Sequence, residues 1–232
     1  MMKKTTDGPA SGLCAGASPE ARDKARRTVA ALAARYPAAV CSLTYDGEPW
    51  KLLIMGRLSA QCTDARVNIV CRELFERFPT PRAVADAPLG ELEEIIRPCG
   101  LYRNKSENLS ACAEMLVREF GGEVPHTMEE LTRLPGIGRK SANVVLGDAF
   151  QVPGFPVDTH VNRVLNRIGL VKTKSPEAIE AAQNAVVPPE YWTNFSHLLI
   201  QHGRRVCHAA RPECDRCTLA GFCRKVGVKG RK

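Results

Sequence analysis

Four cysteines, Cys207, Cys214, Cys217 and Cys223, fall in a C-x6-C-x2-C-x5-C pattern, while the other six of the ten cysteines are scattered through the 232-residue chain. A segment this short cannot bury a core of its own, and it is charged and rich in turn formers, so four unrelated core thiols explain it poorly. A metal centre explains it better. Four thiolates suit either a zinc ion or a 4Fe-4S cluster, and spacing alone does not separate the two.

A second pattern is Leu134-Pro135-Gly136-Ile137-Gly138-Arg139-Lys140, a Pro-Gly-x-Gly turn between two short helical stretches. Backbone N–H groups at the start of the second helix can hold a phosphate oxygen without help from a side chain, which makes Gly136, Gly138 and Arg139 candidate nucleic-acid contacts. Taken alone, the same pattern also fits a plain corner between helices. Lys140 lies roughly 160° around the helix from the apolar Ala142, so it faces out of the core. Asp158 opens a later helix as Asp158-Thr159-His160, with Val161, Val164, Leu165 and Ile168 as the buried stripe behind it. A carboxylate there caps the helix, and it also stays ionised. An amine and a carboxylate beside a phosphate-holding hairpin suit attack on the anomeric carbon of a sugar. The carboxylate stabilises positive charge on the deoxyribose. The amine, if its pKa is depressed by Arg139 and partial desolvation, is the nucleophile, and the resulting Schiff base permits β-elimination of the strand.

The elements that must position these groups read as helices. Residues 1–17 show no apolar periodicity and are expected to form a flexible leader. Ser18-Pro19-Glu20 is a helix start, and Trp50 to Leu58, Asp64 to Phe78, Leu89 to Arg97 and Ser106 to Phe120 follow, broken by prolines and glycines. Thr127 to Glu130 matches a capping box. Further helices are expected from Gly138, over Asp158 to Ile168, Pro176 to Val187 and Glu190 to Arg205. Alternating β-branched runs are missing, so the fold class is all-α.

The formal net charge is +8, and Gly203 to Lys232 holds nine basic residues against two acidic ones, which points to a polyanionic partner. No run of apolar residues is long enough for a membrane span or a secretory signal, so the chain reads as soluble and unexported, with reduced cysteines.

Together these motifs resemble the endonuclease III family of DNA glycosylases in the helix-hairpin-helix superfamily, from about Ala25 to Arg224. The resemblance rests on Ser59-Ala60-Gln61-Cys62-Thr63-Asp64, Gly100-Leu101-Tyr102, Leu134 to Leu146, Val157-Asp158-Thr159-His160-Val161 and the four-cysteine loop. It implies a six-helix barrel over residues 42–153 and a discontinuous cluster domain made of residues 18–41 and 154–232. It also implies Lys140 as nucleophile, Asp158 as its partner and a 4Fe-4S cluster on Cys207, Cys214, Cys217 and Cys223. The expected substrate is duplex DNA with damaged bases or abasic sites, oxidised pyrimidines among them, met by a cytoplasmic, nucleoid-associated monomer. Gln61 and Leu101 would fill the gap left by the flipped base, at an unstacking cost of a few kcal/mol. Their plainer readings are a cap on the Asp64 helix and a loop residue packed inward. His160 reads as a structural or cleft-lining donor. Arg57 departs from the aliphatic residue common in the family before Ser-Ala-Gln, and the segment from Phe150 to Asp158 is compact. A monofunctional mismatch glycosylase and a non-catalytic DNA-binding module are the alternatives, both disfavoured by the presence of Lys140.

Overall fold

The computed structural model describes residues 18–228; the expected leader and the basic residues Lys229, Arg231 and Lys232 lie outside the described residues. Among the described residues every regular element is helical, and no helix is long and apolar enough to cross a membrane. The chain divides into two compact units, one spanning Cys41–Val152 and the other formed by the segments up to Val40 and from Pro153 onward.

The first of these units contains α2 (Pro49–Leu58), α3 (Asp64–Arg77), α4 (Pro81–Ala85), α5 (Leu89–Ile96), α6 (Tyr102–Phe120), α7 (Met128–Arg133) and α8 (Arg139–Val144). Its core is built on α2, where Leu52, Leu53, Ile54, Met55 and Leu58 are all buried, so that this helix is enclosed on most sides. Around it lie the apolar stripes of α3 (Val67, Val70, Cys71, Leu74), α6 (Leu109, Cys112, Ala113, Leu116) and α8 (Ala142). Each fully buried leucine contributes about 2 kcal/mol.

Two elements differ from the sequence expectation for identifiable reasons. Pro79 and Pro81 read as breakers, yet Pro81 starts α4: Thr80 Oγ1 accepts the Ala83 amide at 3.1 Å, and a proline in the first turn needs no N–H. Helix α6 begins at Tyr102, four residues before the expected start, because a charged residue, Lys105, occupies the first position of its buried stripe and masks the pattern. After α8 the chain also widens into a π-helical turn, Val145–Ala149, which periodicity does not announce.

The second unit contains α1 (Pro19–Arg35), α9 (Thr159–Ile168), α10 (Pro176–Asn184) and α11 (Trp192–Arg205). Ser18 Oγ accepts the Ala21 amide at 3.2 Å, as expected of an N-cap before Pro19. The buried residues Ala25, Val29 and Leu32 share a core with Val161, Val164, Leu165 and Ile168 and with Phe195, Leu198 and Leu199. Helix α10 stops at Asn184 rather than Val187, since Pro188 disfavours helical backbone at the residue before it. A 3-10 turn, Pro189–Tyr191, leads into α11. Across this unit the Tyr36 hydroxyl meets His202 Nδ1 at 3.2 Å, joining the end of α1 to α11.

Candidate functional site

The hairpin is a tight turn set by its own residues. The Ile137 amide donates to Leu134 O at 3.0 Å, with Pro135 in the first central position and Gly136 at φ 76° in the second, the arrangement that a type II turn requires. Gly138 then caps α8 through its backbone, accepting the Ala142 amide at 3.0 Å, with no side-chain cap. Gly136, Gly138, Arg139 and Lys140 are all exposed, while Ala142 is fully buried, so Lys140 does face away from the core. Arg57 lies against the turn: a Cβ on Gly136 would stand 2.8 Å from Arg57 Cδ. The same guanidinium reaches Asn104 Oδ1 at 2.8 Å, and its burial lowers its pKa.

Gln61 and Leu101 share an unusual backbone. Both lie in the left-handed region, at φ 55° and 51°, where a side chain with a Cβ is strained. Gln61 is exposed and does not cap α3; that cap is Thr63, whose Oγ1 accepts the Arg66 amide at 3.3 Å. Leu101 is 59% exposed, which removes the inward-packed reading. What holds the Leu101 loop is Lys105, a fully buried side chain whose Nζ donates to Leu58 O at 2.9 Å and to Cys99 O at 2.8 Å. Sequence reasoning missed Lys105. The available signal was a lysine four residues before Leu109, on the same helix face.

Asp158 belongs to the other unit and is half-buried at the start of α9, its Oδ1 accepting the Val161 amide at 2.8 Å. His160 packs against α11, where a Cβ on Gly203 would stand 2.8 Å from its own Cβ, and its Nδ1 meets Arg163 Nη2 at 3.0 Å. Burial lowers the His160 pKa, with Asp158 pulling the other way. The far end of α9 holds the cysteine loop. Arg163 donates to Cys207 O at 2.9 Å and Gly203 O at 2.9 Å, and Arg167 to His208 O at 2.6 Å and Ala209 O at 2.7 Å.

The four cysteines line one hollow together with His202, Val206, Leu219 and Arg167. None of them is in a disulfide. Donors already address their sulfurs: the amides of Leu219 and Lys225 reach Cys217 Sγ and Cys223 Sγ at 3.4 Å, and Arg167 Nη1 reaches Cys207 Sγ at 3.4 Å. Burial pushes the Cys217 and Cys223 thiols up while those two amides pull them back, and donors of this kind favour the thiolate that a metal needs. The donor set therefore fits a metal–sulfur centre. Among the described residues no group of three His, Cys, Asp or Glu side chains stands ready for a single metal ion.

Comparison with known proteins places this geometry. Residues 54–189 match the family described as HhH-GPD superfamily base excision DNA repair protein. Endonuclease III of Synechocystis sp. is 48% identical over 189 residues, covering 81% of this chain and 86% of the relative. The chain belongs to the endonuclease III family. Two solved endonuclease III structures agree: a non-covalent complex with DNA (43% identity, TM-score 0.85, 88% of this chain and 95% of that one) and a trapped covalent intermediate with DNA (43% identity, TM-score 0.84, 88% and 96%). The all-helical architecture is the endonuclease III fold, and members of the endonuclease III family typically carry a 4Fe-4S cluster.

Proposed function

We propose that Lys140 and Asp158 carry out the glycosylase and lyase chemistry of this endonuclease III family member on duplex DNA containing oxidised pyrimidines. As a member of that family the protein is a DNA glycosylase with AP lyase activity, an enzyme of base excision repair. The observation that carries the residue assignment is the exposed Lys140 immediately behind a Gly-capped hairpin, in a chain similar to one trapped as a covalent intermediate with DNA.

In this reading the hairpin amides around Gly136, Gly138 and Arg139 hold a backbone phosphate, and Gln61 and Leu101 enter the gap left by the flipped base. Asp158, at a helix N-terminus, stabilises positive charge as the bond from C1′ to the base breaks. Lys140 Nζ forms a bond to C1′ and the base leaves with the bonding pair. Ring opening gives a Schiff base, and loss of a C2′ proton then expels the 3′ phosphate. His160 holds α9 rather than touching substrate.

The thiols of Cys207, Cys214, Cys217 and Cys223 would hold the 4Fe-4S cluster, which when bound supplies a rigid cross-link between four points of the loop. Arg204, Arg205 and Arg211, all exposed, would then meet phosphates. The domain assignment follows the same reading: the unit around α2 is the barrel domain and the unit around α9 the cluster domain. A monomer acting in the cytoplasm on the nucleoid completes it.

The test is borohydride trapping on a duplex with one oxidised pyrimidine, with Lys140→Ala alongside. A covalent adduct from the wild type, abolished by the substitution, is expected. Excision by folded, cluster-loaded protein with no adduct would overturn the lysyl mechanism.

A further inference from the structure

Three thiols that this chemistry does not use, Cys62, Cys71 and Cys99, gather behind the two loops that carry Gln61 and Leu101. Cys62 follows Gln61 directly, and Cys99 precedes Leu101 by two residues. The thiols of Cys62 and Cys99 are close enough to perturb one another, and the Cys62 thiol donates to Thr63 O at 3.8 Å. The backbones behind them are also joined, since the Lys105 ammonium donates to Leu58 O at the end of α2 and to Cys99 O at the end of a 3-10 turn, Arg97–Cys99. A disulfide needs two thiols brought side by side, and these two are already neighbours.

We propose that Cys62 and Cys99 are a peroxide-oxidisable pair whose disulfide ties the Gln61 loop to the Leu101 loop and reversibly suppresses base excision. Cys62 is half-buried, whereas Cys99 is only 3% exposed. Burial, and then the neighbouring Cys62, push the Cys99 thiol up to about 11, against the pull of Lys105 and Arg66, so Cys99 keeps its proton and acts second. In the first step the Cys62 sulfur attacks hydrogen peroxide: an S–O bond forms, the O–O bond breaks, and the departing hydroxyl leaves with the thiol proton as water. In the second, Cys99 sulfur attacks the Cys62 sulfenic acid: the S–S bond forms, the S–O bond breaks, and the hydroxyl leaves with the Cys99 proton as water. Two thiols lose two electrons, and one peroxide becomes two waters.

Both loops already hold strained left-handed residues at Gln61 and Leu101. A covalent tie beneath them removes the freedom to part around a duplex. This effect on excision rests on the proposed insertion of those two residues, whereas formation of the disulfide does not.

The experiment treats the holoprotein with hydrogen peroxide, alkylates free thiols, and maps the digest by mass spectrometry. Excision of an oxidised pyrimidine is followed with and without dithiothreitol, and cluster absorbance is read in the same samples. A Cys62–Cys99 linked peptide, a fall in excision of at least about fivefold that dithiothreitol reverses, and retained excision in treated Cys62→Ala and Cys99→Ala proteins are expected. Absence of the linked peptide, or sulfinic acid at Cys62 in its place, overturns the proposal, as does equal inactivation of both variants with bleaching of the cluster. A linked peptide with undiminished excision overturns the suppression. If untreated wild type excises nothing, the functional reading fails by itself and the peptide map still decides the pair.

Discussion

Arg57 fills the space that any side chain on Gly136 would need, its Cδ 2.8 Å from where a Cβ would sit. The hairpin turn and the end of α2 are therefore matched surfaces. Gly136→Ala meets two penalties: a left-handed backbone at φ 76° and displacement of Arg57. Together they should cost about 2–3 kcal/mol. Adding Arg57→Ala relieves the overlap but not the backbone strain. A double-mutant cycle from urea unfolding should thus recover part of the loss, and full recovery would contradict this division.

Asp158 caps α9 through Val161 N at 2.8 Å, and in the proposed chemistry it also supplies an anion. Asparagine caps a helix about as well as aspartate. Asp158→Asn should leave thermal stability within about 0.5 kcal/mol while lowering single-turnover excision by about 10²-fold or more. Asp158→Ala should lose both. Equal excision by the wild type and Asp158→Asn would confine Asp158 to capping.

Leu101 is exposed in a left-handed backbone, so its side chain adds little to the fold. Leu101→Gly should leave stability unchanged or raised by up to about 1 kcal/mol, yet weaken binding to a duplex containing a stable abasic-site analogue. Unfolding midpoints and titrations on the same preparations separate the two effects.

Lys105 gives its ammonium to two carbonyls inside the core. Lys105→Met preserves volume but strands Leu58 O and Cys99 O, which should destabilise by about 2–4 kcal/mol. A denaturant midpoint that does not move would show that those carbonyls find other donors.

Arg167 anchors the loop between Cys207 and Cys214 through His208 O and Ala209 O. Arg167→Ala should speed bleaching of the cluster by a chelator and raise hydrogen exchange over residues 206–228, with the helices of the other unit unaffected. Unchanged exchange in that segment would remove the anchoring role.

What the sequence showed and what it hid divide along a physical line. Ser18, Thr63, Thr127 and Asp158 cap helices through amides three residues away, so those starts could be read locally. The outward direction of Lys140 followed from helical spacing against Ala142. Arg163 and Arg167, by contrast, find their acceptors some forty residues further along the chain, where no local pattern points. Lys105 was hidden because a charge on an apolar stripe reads as a break in it. Nothing local marks the left-handed backbone at Gln61 and Leu101.

The unit that holds the cysteines is assembled from both ends of the described chain: α1 lies against α11, and Arg27 sits over the Phe222 ring at 4.5 Å. During synthesis α1 therefore leaves the ribosome with a bare apolar face, while Cys41–Val152, whose core is contiguous in sequence, can already fold. Its partners in α9 and α11 are made more than a hundred residues later. The nascent protein must keep that first helix from sticking elsewhere until the last turns of the chain return to cover it.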